Sequence, residues 1–254
     1  MGLLGDDEPP AFRVLNRDGA SRFLLTADHA GRVIPRRLEN LGLGEADISR
    51  HIGWDIGIAG VTARLADALG ATAILQTYSR LVIDCNRQPH VASAFPVISE
   101  ATAIPGNKDL TEADKAARQA AIFDPYHAEI ARLIGMRPAA PIYVAMHSFT
   151  PVYLGAARPM QVALLYNRNP RLSRILAGLL HAEGKYVVAE NEPYRVSDET
   201  DYGVPVHAEA RGLDYLEIEI RQDLIADEAG QAEWAGILAR LLPLAAETLG
   251  EAGG

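Results

Sequence analysis

A single cysteine, Cys85, stands in a chain of 254 residues. No disulfide framework can form within it, and a reducing, cytoplasmic setting is the expectation. Long apolar runs are missing too. No segment reaches the ~18 uninterrupted apolar residues of a membrane span. The opening residues, MGLLGDDEPPAF, have neither the basic start nor the apolar stretch of a signal peptide. Positive charge is scarce. The 24 Lys and Arg against 33 Asp and Glu give a net charge of −9, which argues against a nucleic-acid partner. A small anionic substrate is still compatible with this balance, because a few positioned arginines override the global field. The phosphate loops GxGxxG and GxxxxGK[ST] and the serine-hydrolase elbow GxSxG are absent. Nothing in the sequence sets the oligomeric state.

What is present is core-forming sequence. The chain is 48% hydrophobic, enough for one domain over 1–254, with 1–20 and 250–254 at its periphery. Short β-prone runs alternate with amphipathic ones. RFLLTAD (22–28), ATAILQT (71–77), RLVIDC (80–85), PIYVAMHS (141–148), QVALLYN (161–167), YVVAE (186–190) and DYLEIEIR (214–221) read as strands. The stretches 55–70, 111–134, 170–184 and 227–250 read as helices. Gly70 stops the first; Thr111, with Asp114 three residues on, opens the second, which Pro125 should kink or divide. Loops cover 88–110 and 191–212. This alternation predicts an α/β fold, a three-layer α/β/α sandwich around a mainly parallel or mixed sheet. Sites in such folds gather outside the carboxyl ends of the strands.

Seven histidines need sorting. His127 and His181 fall within amphipathic stretches and read as partly exposed helix residues; His90 lies in a loop, and His51 precedes IGWD. His29 and His147 differ, because each ends a β-prone run, FLLTADH and YVAMH. A neutral imidazole there is a good ligand for a first-row metal. A catalytic zinc uses three protein ligands. Asp55, in HIGWDIG, is the best third donor, although an acid opening a helix also suits the helix dipole without any metal. Glu217 and Glu219 alternate on YLEIEIR and share a face opposite Leu216, Ile218 and Ile220. A strand covered on both sides should be almost wholly apolar, so one of these carboxylates is expected in a site.

Arg80 and Arg87 flank RLVIDC, with Asn86 beside Arg87. An Asn–Arg pair can grip a carboxylate through a bidentate fork and an amide donor; pairing with Asp84 is the ordinary alternative for either arginine. Arg211, in VHAEARGLDY, is a second candidate, with His207 close by. Cys85 sits in an apolar run and reads as an inert thiol.

Taken in order, TADHAGRVIP, HIGWDIG, SRLVIDCNRQP, AMHSFTPV and HAEARGLDYLEIEIRQDL resemble the N-formylglutamate amidohydrolase family, over about residues 22 to 226. The resemblance implies a zinc-dependent hydrolase with a phosphorylase/hydrolase-like fold, similar in architecture to zinc carboxypeptidases and N-acetylmuramoyl-L-alanine amidases. It implies Zn2+, or another divalent transition metal, on His29, Asp55 and His147, with Glu219 as general base. Asn86 and Arg87 would clamp the substrate carboxylate. Arg80 or Arg211 would face the charge developing on the carbonyl oxygen, with His207 nearby. The implied substrate is N-formyl-L-glutamate; the alternatives are another small N-acyl amino acid or peptide, or a ligand-binding relative without turnover. Two departures stand out. Asp28 occupies a position where the family often has Pro or Ser, and Arg32 replaces the Glu of the carboxypeptidase HxxE motif. The acid ligand must then come from elsewhere in the chain.

Overall fold

The structure is a computed structural model and describes residues 2–251; the expected peripheral residues 252–254 lie outside that range. Seven strands form one sheet: β1 (Phe12–Leu15), β2 (Phe23–Ala27), β3 (Thr72–Gln76), β4 (Ile142–Phe149), β5 (Val162–Leu165), β6 (Val188–Glu190) and β7 (Tyr215–Arg221). Their order is β1-β3-β2-β4-β7-β5-β6. The four central strands, β3, β2, β4 and β7, are mutually parallel. β1 and β5 run antiparallel to their inner neighbours, so the sheet is mixed. β2, β3, β4 and β5 are buried at every residue, which explains their nearly unbroken apolar sequence.

Five α-helices of seven or more residues accompany the sheet among the described residues: α1 (Ile58–Leu69), α2 (Glu112–Arg118), α3 (Asp124–Gly135), α4 (Arg171–Ala182) and α5 (Glu228–Glu251). On one face Leu25, Val144 and Ile218 pack with Ile58 and Leu65 of α1, Leu176 of α4 and Leu238 of α5. On the other, Leu24, Ile74 and Tyr143 pack with Tyr126 and Ile130 of α3 and with Leu81–Ile83. The result is the expected three-layer sandwich. Each fully buried Leu or Ile stabilises it by about 1.5–3 kcal/mol.

The helix predicted over 111–134 is divided. The Thr111–Asp114 capping box forms, and a π-helical turn at Gln119–Phe123 separates α2 from α3. Pro125 lies in the first turn of α3, where its missing N–H does least harm.

Two expectations fail. RLVIDC (80–85) is not a strand. Leu81, Val82, Ile83 and Cys85 are buried, yet the segment runs through turns, with Val82 N–H donating to Ser79 and Asp84 N–H to Ala94. Burial without a ladder partner gives the same apolar run as a strand, and periodicity cannot separate the two. Conversely, FRVL (12–15), within the stretch read as peripheral, forms the edge strand β1 against β3.

Candidate metal centre and active site

Because β2, β4 and β7 are parallel neighbours, their carboxyl ends open on one side, and a cavity of about 540 Å³ lies there. His29 follows β2 in a turn. Gly31 lets that turn lie flat on the chain after β3: a Cβ on it would sit 2.0 Å from the Thr77 carbonyl oxygen. Asp55 is tied to the same turn, its N–H donating to the His29 carbonyl at 2.9 Å. Asp55 does not open the helix as expected. The helix starts at Ile58, after Gly57 with φ of +82°, and a Cβ on Gly57 would lie 2.0 Å from the Ile225 carbonyl oxygen. Only glycine lets this turn press against the connection between β7 and α5. His147 projects from β4, and Glu219 stands opposite it in register on β7.

The first three side chains meet. His29, Asp55 and His147 each offer a donor atom within 4.8 Å of the others, and all three are buried. Asp55 Oδ2 lies 3.0 Å from His147 Nδ1 and 3.6 Å from His29 Nδ1, and the two imidazole centroids are 5.0 Å apart. Two ligand atoms at tetrahedral angles on a zinc, each about 2.0–2.1 Å from it, would be about 3.4 Å apart. With Nε2–H of neutral His29 donating to Asp84, its buried Nδ1 carries a lone pair and has no hydrogen-bond partner, which suits it to ligate a cation. Burial alone would raise the Asp55 carboxyl, but the two imidazoles hold it below the usual carboxylate range. The donor set therefore fits a divalent metal ion.

Further residues hold these three side chains. His29 Nε2 bonds Asp84 Oδ1 at 2.7 Å, and Arg80 donates to the other oxygen of Asp84 at 2.7 Å while lying 3.6 Å from Asp55. A carboxylate on the far nitrogen fixes the tautomer and orientation of a ligand histidine. Burial opposes the charges on Arg80 and Asp84, but their pairing more than offsets it and keeps both ionised. His147 Nε2 faces Asp28 Oδ2 at 3.9 Å, and Tyr126 donates to the other Asp28 oxygen at 2.5 Å. Asp28 Oδ2 and His147 Nε2 are both buried without a hydrogen-bond partner, so Asp28 stands near the second histidine without bonding it.

Glu217 and Glu219 face the cavity, while Leu216, Ile218 and Ile220 enter the opposite core. Each glutamate keeps a buried Oε2 without a partner. Burial pushes Glu217 up to about 7 and Glu219 up to about 8.

The remaining predicted residues divide. Arg87 lines the cavity, bonded to the carbonyls of Asn86 and Thr200 and 3.6 Å from Asp201. Asn86 also lines it, but its amide already staples the loop 201–203: Nδ2 donates to Asp201 at 3.1 Å, and Oδ1 accepts from Tyr202 and Gly203 at 3.0 and 2.9 Å. His207 and Arg211 are not in the lining. The Arg211 guanidinium is spent on the Val206 carbonyl.

His207 lies behind the wall against His127, and His127 is buried rather than partly exposed. His127 Nε2 must donate to the Cys85 carbonyl at 2.9 Å, so its Nδ1 accepts from His207 Nε2–H at 2.9 Å. Burial pushes His127 well below its ordinary value and His207 down to about 3. The unfolded chain then binds these protons first. Their contribution to stability is complete above pH 6.5 and declines as pH falls towards the folded values. Replacing His207 with Gln removes one such titration. Between pH 7.5 and 5.5 the wild type should lose about 1.4 kcal/mol more than His207→Gln, read by urea unfolding. Parallel losses would show that His207 takes up its proton in the folded protein as readily as in the unfolded chain.

Sequence reading missed Tyr194 and Arg195, which line the cavity from the polar loop 191–212. No periodicity marks such residues. Asp84 was visible only as a partner for an arginine; its place two residues before Asn86 was the available signal.

A triad of two histidines and an aspartate at the carboxyl edge of a mixed α/β sheet, with a buried glutamate on the neighbouring strand, defines a metal-dependent hydrolase. Residues 21–226 match the family described as N-formylglutamate amidohydrolase, and the chain belongs to that family. Among solved structures it is similar to the gene product Atu2144 from Agrobacterium tumefaciens, with 38% identity and a TM-score of 0.93 over 97% of this chain and 99% of that one. It also shares its fold with N-formylglutamate amidohydrolase from Ralstonia eutropha JMP134, with 20% identity and a TM-score of 0.64 over 94% of this chain and 98% of that one. No curated protein matches it. Among the described residues no helix is long and apolar enough to cross a membrane.

Proposed function

We propose that this chain is a zinc enzyme that hydrolyses the amide bond of small anionic N-acyl amino acids, with N-formyl-L-glutamate giving formate and L-glutamate. The observation that carries this reading is one cavity holding the His29–Asp55–His147 donor set together with Glu219, a buried carboxyl with an unpartnered oxygen. When bound, the cation would acidify water and polarise the scissile carbonyl.

The chain's own residues supply the rest. Glu219 takes the proton from the attacking water and returns it to the leaving nitrogen. Arg80, held beside the donor set by Asp84 and Asp55, stabilises the negative charge developing on the carbonyl oxygen. Arg87, with Asn86 fixing the loop beside it, holds the substrate carboxylate and so positions the acyl carbon. His207 and Arg211 take no part in this reading. A cytoplasmic setting belongs to it and rests on the lone cysteine.

Protein loaded with Zn2+ should bind about one ion per chain and release formate from N-formyl-L-glutamate. Metal-free protein indifferent to added dications would end the reading. Stoichiometric metal and tight substrate binding without formate release would favour the ligand-binding relative.

A further inference from the structure

The proposed reaction leaves Glu217 idle. This carboxyl faces the cavity from β7, two residues before Glu219 and on the same face of the strand. It is 4% exposed, and its Oε2 is buried without a hydrogen-bond partner. Its register neighbours, Ala145 on β4 and Leu165 on β5, have apolar side chains and cannot supply one. A buried polar group without a partner destabilises a fold. An apolar residue would suit this central strand better.

Its surroundings locate it. Burial dominates them; beyond burial, His147 and Arg87 favour the charged form of Glu217, and Asp201 and Asp28 oppose it. None of these groups is free to bond it. Arg87 donates to the carbonyls of Asn86 and Thr200, and Asp201 accepts from Asn86 at 3.1 Å and from the Ser197 N–H at 2.9 Å. Glu217 is thus within electrostatic reach of the donor cluster, through His147, and of the carboxylate clamp at Arg87. A substrate with its acyl carbon at the cluster and its carboxylate at Arg87 carries its amide nitrogen across the same interval. That nitrogen holds one N–H, which loses its water on entering the cavity.

We propose that Glu217 binds the substrate: its unpartnered oxygen accepts the hydrogen bond of the scissile amide N–H and holds that nitrogen within reach of Glu219. The inference rests on the amide-hydrolase reading. A carboxyl keeps an acceptor oxygen whether or not it is protonated, so the contact does not depend on the charge of Glu217. It selects secondary amides. An ester has no hydrogen to give and leaves the buried oxygen unpartnered.

The test compares N-formyl-L-glutamate with its ester analogue, the O-formyl ester of 2-hydroxyglutarate, corrected for spontaneous hydrolysis. In zinc-loaded Glu219→Gln protein, where binding is read without turnover, the amide should bind about 10-fold more tightly than the ester by calorimetry. Glu217→Met fills the same space without an oxygen. It should lower the amide-to-ester ratio of kcat/KM about 10-fold, with metal content and melting temperature retained. Glu217→Gln keeps a carbonyl oxygen and should hold that ratio within about 3-fold of the wild type. Equal affinities for the two compounds, a ratio that Glu217→Met leaves unchanged, or a ratio damaged as much by Gln as by Met would each overturn the proposal, while formate release from the amide keeps the hydrolase reading. Release from neither compound by the wild type would remove both.

Discussion

Glu219→Gln should lower kcat for amide hydrolysis by about 10²- to 10⁴-fold while the protein still binds its metal ion. The side chain keeps its size and loses only the ability to accept and return a proton. The carboxyl has an unpartnered buried oxygen and is pushed up to about 8 by burial. The substitution therefore removes no structural hydrogen bond of that oxygen, and folding should be preserved. The pH profile carries the same signature. A base works only when deprotonated, so kcat/KM should rise with pH through the Glu219 pKa; a bound dication favours the carboxylate and sets this limb below 8. Full activity in Glu219→Gln, with metal in place, would move the proton-transfer role to another group in the cavity.

The second large effect concerns the ion itself. His29→Ala should abolish stoichiometric metal binding and activity together, because only two of three donors remain. Asp84→Asn should act more gently on the same ligand. It removes the charge that fixes His29 Nε2 at 2.7 Å, and metal affinity should fall about 10–100-fold, with activity recovered at high metal concentration. Metal content by elemental analysis and activity against free zinc separate the two outcomes. If Asp84→Asn titrates like the wild type, Asp84 serves Arg80 rather than the metal ligand.

Much of this centre was legible because strand ends carry a strong signal. His29 and His147 each close a run that is apolar on both faces, and Glu217 and Glu219 break the pattern of a strand that should be apolar throughout. Asp55 was harder. Its role depends on a turn set by Gly57 and by a bond to the His29 carbonyl, and neither leaves a periodic trace. RLVIDC misled because its apolar side chains are buried by the surrounding loop rather than by ladder partners. FRVL was overlooked because an edge strand of only four residues, none of them fully buried, carries little pattern. His127 deceived for a related reason. Its helix looks amphipathic, but the side chain enters a polar seam whose other members, the Cys85 carbonyl and His207, are distant in sequence.

The backbone bond from Asp55 N–H to the His29 carbonyl joins two of the three donors, and His147 is fixed independently by the sheet. The placement of the three donors is thus set by backbone contacts and sheet register. A donor set of two imidazoles and a carboxylate suits several first-row dications, and the general affinity series of those metals orders them there.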